Sequence, residues 1–91
     1  MDTRLVDRQE IADAGLDDWR PILGSLRTRY RTGGFVNGLR LLNAIAAAAE
    51  AADHHPDLDL RYGHLNIRMW SHDAGGITSR DLSLARTISE L

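Results

Sequence analysis

Alternating polar and apolar positions predict two β-hairpins in this chain. Over residues 26–32, apolar or hydroxyl-bearing side chains alternate with arginines, which is the period of a strand with one buried face. The apolar segment before it, 19–23, contains Pro21, which cannot donate to a ladder and suits an edge strand. With Gly24-Ser25 as the turn, these two segments predict the first hairpin.

The second hairpin is predicted in the C-terminal half. Residues 60–62 form a short strand candidate, and Gly63-His64 offers a tight connection that would place His64 in a turn. From Leu65 to His72 the apolar and polar side chains again alternate. This pattern indicates a strand that ends close to His72.

Three helices complete the predicted fold. Apolar side chains recur every three or four residues from Phe35 to Ala49, and Pro56 disfavours helical geometry at the residue before it, so this helix should end near residues 53–54. Capping-box spacings predict a helix over 8–14 and another from Thr78 to the C-terminus. The expected class is α+β, with a four-stranded antiparallel sheet, helices packed on one face and the order α-β-β-α-β-β-α.

Composition narrows the class of protein. The chain has 91 residues, which we take as a single domain over 1–91, with a formal charge of −2 and no cysteine. The charge gives no support for direct nucleic-acid binding, and the absence of cysteine favours a reducing compartment. The longest apolar run, Ala44–Ala49, has six residues, far fewer than the roughly 18 that span a membrane. We therefore expect a cytoplasmic protein without a membrane partner.

Two short stretches hold the residues suited to chemistry. They are Glu50-Ala51-Ala52-Asp53-His54-His55-Pro56 and Trp70-Ser71-His72-Asp73-Ala74-Gly75-Gly76. Both lie at predicted element ends, where side chains can converge on a ligand without loss of core packing. Because imidazole titrates near neutral pH, His54, His55 and His72 are candidates for proton transfer.

Plainer interpretations are available for the same residues. His54 and His55 could stabilise a helix C-terminus through its dipole, and Asp81 could serve only as a capping residue. A zinc site is disfavoured because consecutive histidines diverge in both helices and strands. The arginine-bearing face of the sheet, with Arg27, Arg29, Arg31 and Arg68, is either solvated or a surface for a partner.

The sequence resembles the pterin-4a-carbinolamine dehydratases along nearly its whole length. The matching residues are Glu50-x-x-x-His54-His55-Pro56-Asp57, Tyr62, Ser71-His72, Gly75-Gly76-Ile77-Thr78, Arg80-Asp81 and Leu84-Ala85. The resemblance implies the fold described above, a homodimer or homotetramer, no metal, no bound cofactor and a 4a-hydroxytetrahydropterin as substrate. Loss of water from this substrate would give the quinonoid dihydropterin and so recycle the cofactor of aromatic amino acid hydroxylases.

The resemblance also implies roles for individual residues. His54, His55 and His72 would surround the reacting carbon, and our hypothesis makes His54 the acid, His72 the base and His55 the residue that holds the ring. The residues expected at the substrate are Glu50, Asp53, Pro56, Trp70, Ser71, Asp73 and Asp81. Among them, Glu50 and Asp81 would orient the imidazoles or tune their charge, and Asp53 and the stretch from Trp70 to Asp73 would line the pterin.

The chain departs from the family pattern at several positions. Leu58 stands where many members have an aromatic residue, and Trp70 replaces a small residue. Relatives on this fold also act without catalysis, as a dimerisation partner of a transcription factor or as an assembly chaperone. A non-catalytic module of this kind is the alternative function.

Overall fold

The predicted order of elements is confirmed in the computed structural model, which describes residues 3–91. The helices in this range are α1 (Arg8–Asp13), α2 (Phe35–Ala52) and α3 (Ser79–Ser89). The strands are β1 (Arg20–Ile22), β2 (Ser25–Arg31), β3 (Asp57–Leu60) and β4 (His64–Met69). They form one antiparallel sheet in the order β1-β2-β4-β3, so the α+β architecture follows as predicted.

The core lies between the sheet and the helices. α2 packs on β3 and β4, and α3 packs on α2. The buried apolar side chains are Trp19, Leu26, Ile45, Ala49, Leu65, Ile67, Met69, Ile77, Leu84, Ala85 and Ile88. Burial of each large apolar side chain contributes roughly 1.5–3 kcal/mol. This packing holds the C-terminal ends of α2 and β4 against the start of α3.

The hairpin turns differ from the sequence prediction. Ile22 pairs with Ser25, so Leu23 and Gly24 form the first turn, with φ of 49° and 78°, and Ser25 belongs to β2. The second hairpin also shifts, because β3 ends at Leu60 and His64 is the first residue of β4, paired with Arg31. The placement of His64 in a turn was therefore wrong.

β3 begins at Asp57, earlier than predicted, because aspartate and leucine alternate over residues 57–60 in the pattern of a strand. Asp57 and Asp59 are exposed, whereas Leu58 and Leu60 are half-buried and pack against the core. Leu58 and Leu60 pair with Ile67 and Leu65 of β4. The register of β3 is thus set by the face that its two leucines bury.

The buried stripe of α2 also differs from the prediction. Phe35 and Leu39 are 49% and 41% exposed, while Gly38, Ile45 and Ala49 are buried. A Cβ atom at Gly38 would lie 2.7 Å from Leu60 Cδ1, so the missing side chain lets the start of the helix approach β3. Within residues 3–91, no helix combines the length and apolarity required to cross a bilayer.

Candidate active site

The three histidines named above line one depression at the end of the sheet. α2 ends at Ala52, and Asp53 adopts a left-handed conformation with φ of 50° that turns the chain back towards the sheet. β4 ends at Met69, and the loop after it is closed by a hydrogen bond of 2.8 Å from the Ser71 amide to the Gly76 carbonyl. The depression has a volume of about 370 Å³ and is lined by Asp53, His54, His55, Trp70, Ser71, His72, Asp73 and Arg80.

His54 is the buried histidine of the site. Its Nε2 lies 2.5 Å from Oδ1 of Asp81, which is completely buried. The other oxygen of Asp81 accepts hydrogen bonds from the Ser71 hydroxyl at 2.8 Å and the Thr78 amide at 2.9 Å. A carboxylate bound in this way accepts from Nε2–H, so Asp81 fixes the orientation of the His54 ring.

Asp81 joins three parts of the chain at this buried corner. It is the third residue of α3 and forms the predicted capping box with Thr78, whose backbone is extended. The Asp81 carboxylate therefore caps α3 and also contacts His54, so both roles considered for it are present in the structure. Ser71 lies just after β4 and His54 just after α2. Asp81 therefore fixes the position of these two segments relative to each other.

His55 lies at the open side of the depression. Its Nε2 hydrogen-bonds Oε2 of Glu50, and both side chains are exposed. The spacing of four residues between Glu50 and His54 is typical of a side-chain pair on a helix, but the left-handed Asp53 redirects the chain. His55 takes that place instead, while His54 turns inward to Asp81.

His72 and the residues around it form the other exposed edge. The His72 and Trp70 rings are stacked, with centroids 4.4 Å apart and an interplanar angle of 6°. Next to them, Arg80 Nη2 donates to Asp73 Oδ1 at 2.6 Å. This hydrogen bond lowers the pKa of Asp73 below its usual value of 3.8.

Arg80 also lines the depression, although it is not among the site residues expected from the sequence. It occupies the first turn of α3, one residue before Asp81, and its guanidinium reaches across the depression to the loop after β4. The sequence signal that could have indicated Arg80 is its position between the capping residues Thr78 and Asp81. This position places its Cα close to the site, but the direction of the side chain depends on how α3 packs.

A larger groove elsewhere lacks comparable chemistry. It has a volume of about 1010 Å³ and lies between α1 and β1, where Arg8, Asp17 and Arg20 are its charged residues. It contains no histidine. The smaller depression is therefore the candidate active site, because it holds the groups able to transfer protons at neutral pH.

Comparisons with known proteins assign the family. Residues 4–91 match the model of the family described as "Pterin 4 alpha carbinolamine dehydratase". The chain belongs to this family. A relative from Picosynechococcus sp. named "Putative pterin-4-alpha-carbinolamine dehydratase" is 34% identical over 92 residues, covering 100% of both chains.

Two solved structures share the fold. The "transcriptional coactivator/pterin dehydratase" from Brucella melitensis superposes with a TM-score of 0.88 at 22% identity and covers 96% of this chain and 97% of its own. A "pterin dehydratase-like protein" described as a RuBisCO assembly factor in the alpha-carboxysome gives a TM-score of 0.69 at 20% identity. It covers 80% of this chain and 87% of its own.

Three of the expected site residues do not line the depression. Glu50 lies beside it and contacts His55, and Asp81 lies beneath it under His54. Pro56 is half-buried and connects His55 to β3. These positions suit support of the histidines more than contact with a ligand, and the roles of all the expected site residues stay predictions.

The same contacts bear on metal binding. Among residues 3–91, no group of three histidine, cysteine, aspartate or glutamate side chains is placed to hold a metal ion. His54 and His55 instead use Nε2 to contact two different carboxylates, Asp81 and Glu50. The arrangement offers imidazoles oriented by carboxylates.

Proposed function

We propose that this protein dehydrates a 4a-hydroxytetrahydropterin to the quinonoid dihydropterin by histidine acid–base catalysis. The reaction would recycle the pterin cofactor of aromatic amino acid hydroxylases. The observation that carries the proposal is the convergence of His54, His55 and His72 on one depression in a member of this family. Its volume of about 370 Å³ falls in the range of small-molecule sites.

The reaction needs one acid and one base. The carbon that bears the hydroxyl group also bears a ring nitrogen, and the lone pair of that nitrogen expels the oxygen. An acid protonates the departing oxygen to give water, while a base removes the proton from the nitrogen. The products are the quinonoid dihydropterin and one water molecule, so no oxidant or reductant is consumed.

The surroundings of the histidines support a division of these roles. We assign the acid to His54, whose imidazolium form would donate the Nδ1 proton to the departing hydroxyl while Asp81 accepts from Nε2–H. We assign the base to His72, which is exposed and lines the same depression. His55, which Glu50 orients, would hold the pterin ring between them. Positioned acid–base groups typically supply about 10² to 10⁴ in rate.

The remaining polar groups support recognition of a planar heterocycle. Asp53, Asp73 and Arg80 line the depression together with Ser71. Pterins carry an edge of alternating hydrogen-bond donors and acceptors, and carboxylate and backbone groups can pair with such an edge. We propose that the Asp53 carboxylate and backbone groups of the loop from Trp70 to Asp73 bind this edge.

The test is the decay of a freshly generated 4a-hydroxytetrahydropterin, followed by absorbance. Wild-type protein should accelerate the decay, and His72→Ala should lose about 10² to 10⁴ of that acceleration. His64→Ala is the matched control, because His64 lies at the opposite end of β4 and pairs with Arg31. Decay at the uncatalysed rate with folded wild-type protein would reject the dehydratase proposal.

The alternative function is a non-catalytic dimerisation or assembly module. It is supported by the shared fold of the protein described as a RuBisCO assembly factor. We also propose a homodimer or homotetramer, since Phe35, Val36 and Leu39 leave an apolar surface on α2. Light scattering on the purified protein measures the assembly. An inactive protein that instead forms a stable complex with a host protein would favour the alternative.

A further inference from the structure

The three histidines of the depression are held in different ways. Asp81 holds His54 and Glu50 holds His55, each through a hydrogen bond to Nε2. Among the interactions of residues 3–91, the ring nitrogens of His72 have no hydrogen bond, and the contact that defines its orientation is the stack on Trp70. An exposed histidine held only by its ring face keeps both nitrogens available to a ligand.

Trp70 is itself contacted by Arg68, which lies two residues earlier in β4. The Arg68 guanidinium lies 5.1 Å from the centroid of the Trp70 ring, which is within cation–π range. Arg68 is in turn held by Asp57, whose Oδ2 accepts from Nη2 at 2.8 Å and from Nε at 3.1 Å. Asp57 begins β3 two residues after His55, so this series of contacts connects both histidine-bearing segments.

We propose that Trp70 is the positioning residue for His72: it sets the plane of the imidazole by stacking and leaves both ring nitrogens for the substrate. This inference rests on the proposed dehydratase function. Without the indole, the imidazole would sample several rotamers, and only a fraction of molecules would present it correctly.

Steady-state kinetics of Trp70→Ser and Trp70→Phe test the role. An aromatic pair is worth a factor of about two to ten in an equilibrium, so kcat of Trp70→Ser should fall by about that factor. KM should stay within about twofold, because the loss lies in orientation of the base. Trp70→Phe keeps a stacking ring and should restore most of kcat. Tyr62→Ser, which removes an aromatic side chain that is 78% exposed outside the depression, is the control.

Proton NMR of the His72 ring tests the stacking without reference to activity. Protons above an indole face are shifted upfield, so the His72 ring protons should be upfield in wild-type protein, return to ordinary positions in Trp70→Ser and remain shifted in Trp70→Phe. The His55 signals should not move in any of these variants. Ordinary His72 shifts in wild-type protein would overturn the inference, whether or not the protein is an enzyme.

The two proposals fail in distinguishable ways. Wild-type protein that does not accelerate pterin decay rejects the dehydratase function, and the His72 shifts then decide whether Trp70 orients this ring. An active wild type with unchanged kcat in Trp70→Ser rejects the positioning role alone. A rise in KM with kcat unchanged would also reject it, because it would make Trp70 a wall that binds substrate.

Discussion

The candidate site joins a buried corner and an open rim that are organised by different forces. At the buried corner, Asp81 binds His54, Ser71 and the Thr78 amide, and all four residues are buried. At the open rim, His72 stacks on Trp70, and Asp73 pairs with Arg80 in partial contact with solvent. Hydrogen bonds to charged groups gain strength away from water, whereas exposed ion pairs contribute little. The corner should therefore control stability and the rim should control ligand contact.

Removal of the central carboxylate should have the largest effect. Asp81→Ala leaves the His54 ring, the Ser71 hydroxyl and the Thr78 amide without their shared acceptor, and each buried donor that loses its acceptor costs about 1–3 kcal/mol. Urea unfolding should show a reduction of this size. Asp59→Ala, which removes an exposed carboxylate of β3, should keep the midpoint near that of wild type. Equal midpoints for both variants would contradict a structural role of the corner.

Substitution of His54 and of His72, assigned as acid and base, should affect the free energy of unfolding differently and the activity alike. His54→Ala leaves the buried Asp81 without one partner, which should lower the free energy of unfolding by about 2 kcal/mol. His72→Ala removes an exposed ring and should leave the unfolding midpoint close to that of wild type. Both variants should lose most of the dehydratase activity. If His72→Ala destabilised the fold as much as His54→Ala, the distinction between corner and rim would fail.

The smallest effect is expected from the ion pair at the rim, and it depends on pH. Arg80 lowers the pKa of Asp73 in the folded protein below 3.8. The stabilisation is present above the unfolded-state pKa and is lost as the pH falls through the folded-state pKa. Asp73→Asn should therefore be slightly less stable than wild type at neutral pH, and the difference should shrink in acid, as the pH falls below 3.8. Urea titrations at neutral and acid pH measure the difference, and a gap that persists in acid would contradict the assignment.

Much of the fold could be predicted because its signals are local. The Asp7 and Glu10 capping box, the Thr78 and Asp81 capping box and the end of α2 near Asp53 all depend on residues within a few positions of one another. The turns were less accurate. Glycine indicated the position of the first turn, but the cross-strand pair of Ile22 with Ser25 decided its register.

The candidate site could be predicted only in part from such local signals in the sequence. The stretches around His54 and His72 were identified from residue type and from their place at element ends. The direction of each side chain was a different problem, as Arg80 and Glu50 show. Arg80 reaches Asp73 across the depression, and Glu50 pairs with His55 because Asp53 is left-handed.

By itself, the sequence determined the helices, the strand faces and the caps, since each depends on periodicity or on neighbours a few positions apart, and it offered the histidines as candidates for proton transfer. Only the tertiary structure decided that Asp81 meets His54 across 27 positions. That contact requires the packing of α3 on α2 and the closure of the loop after β4. It places one imidazole in a buried network and leaves another at the surface, a difference that residue type does not encode.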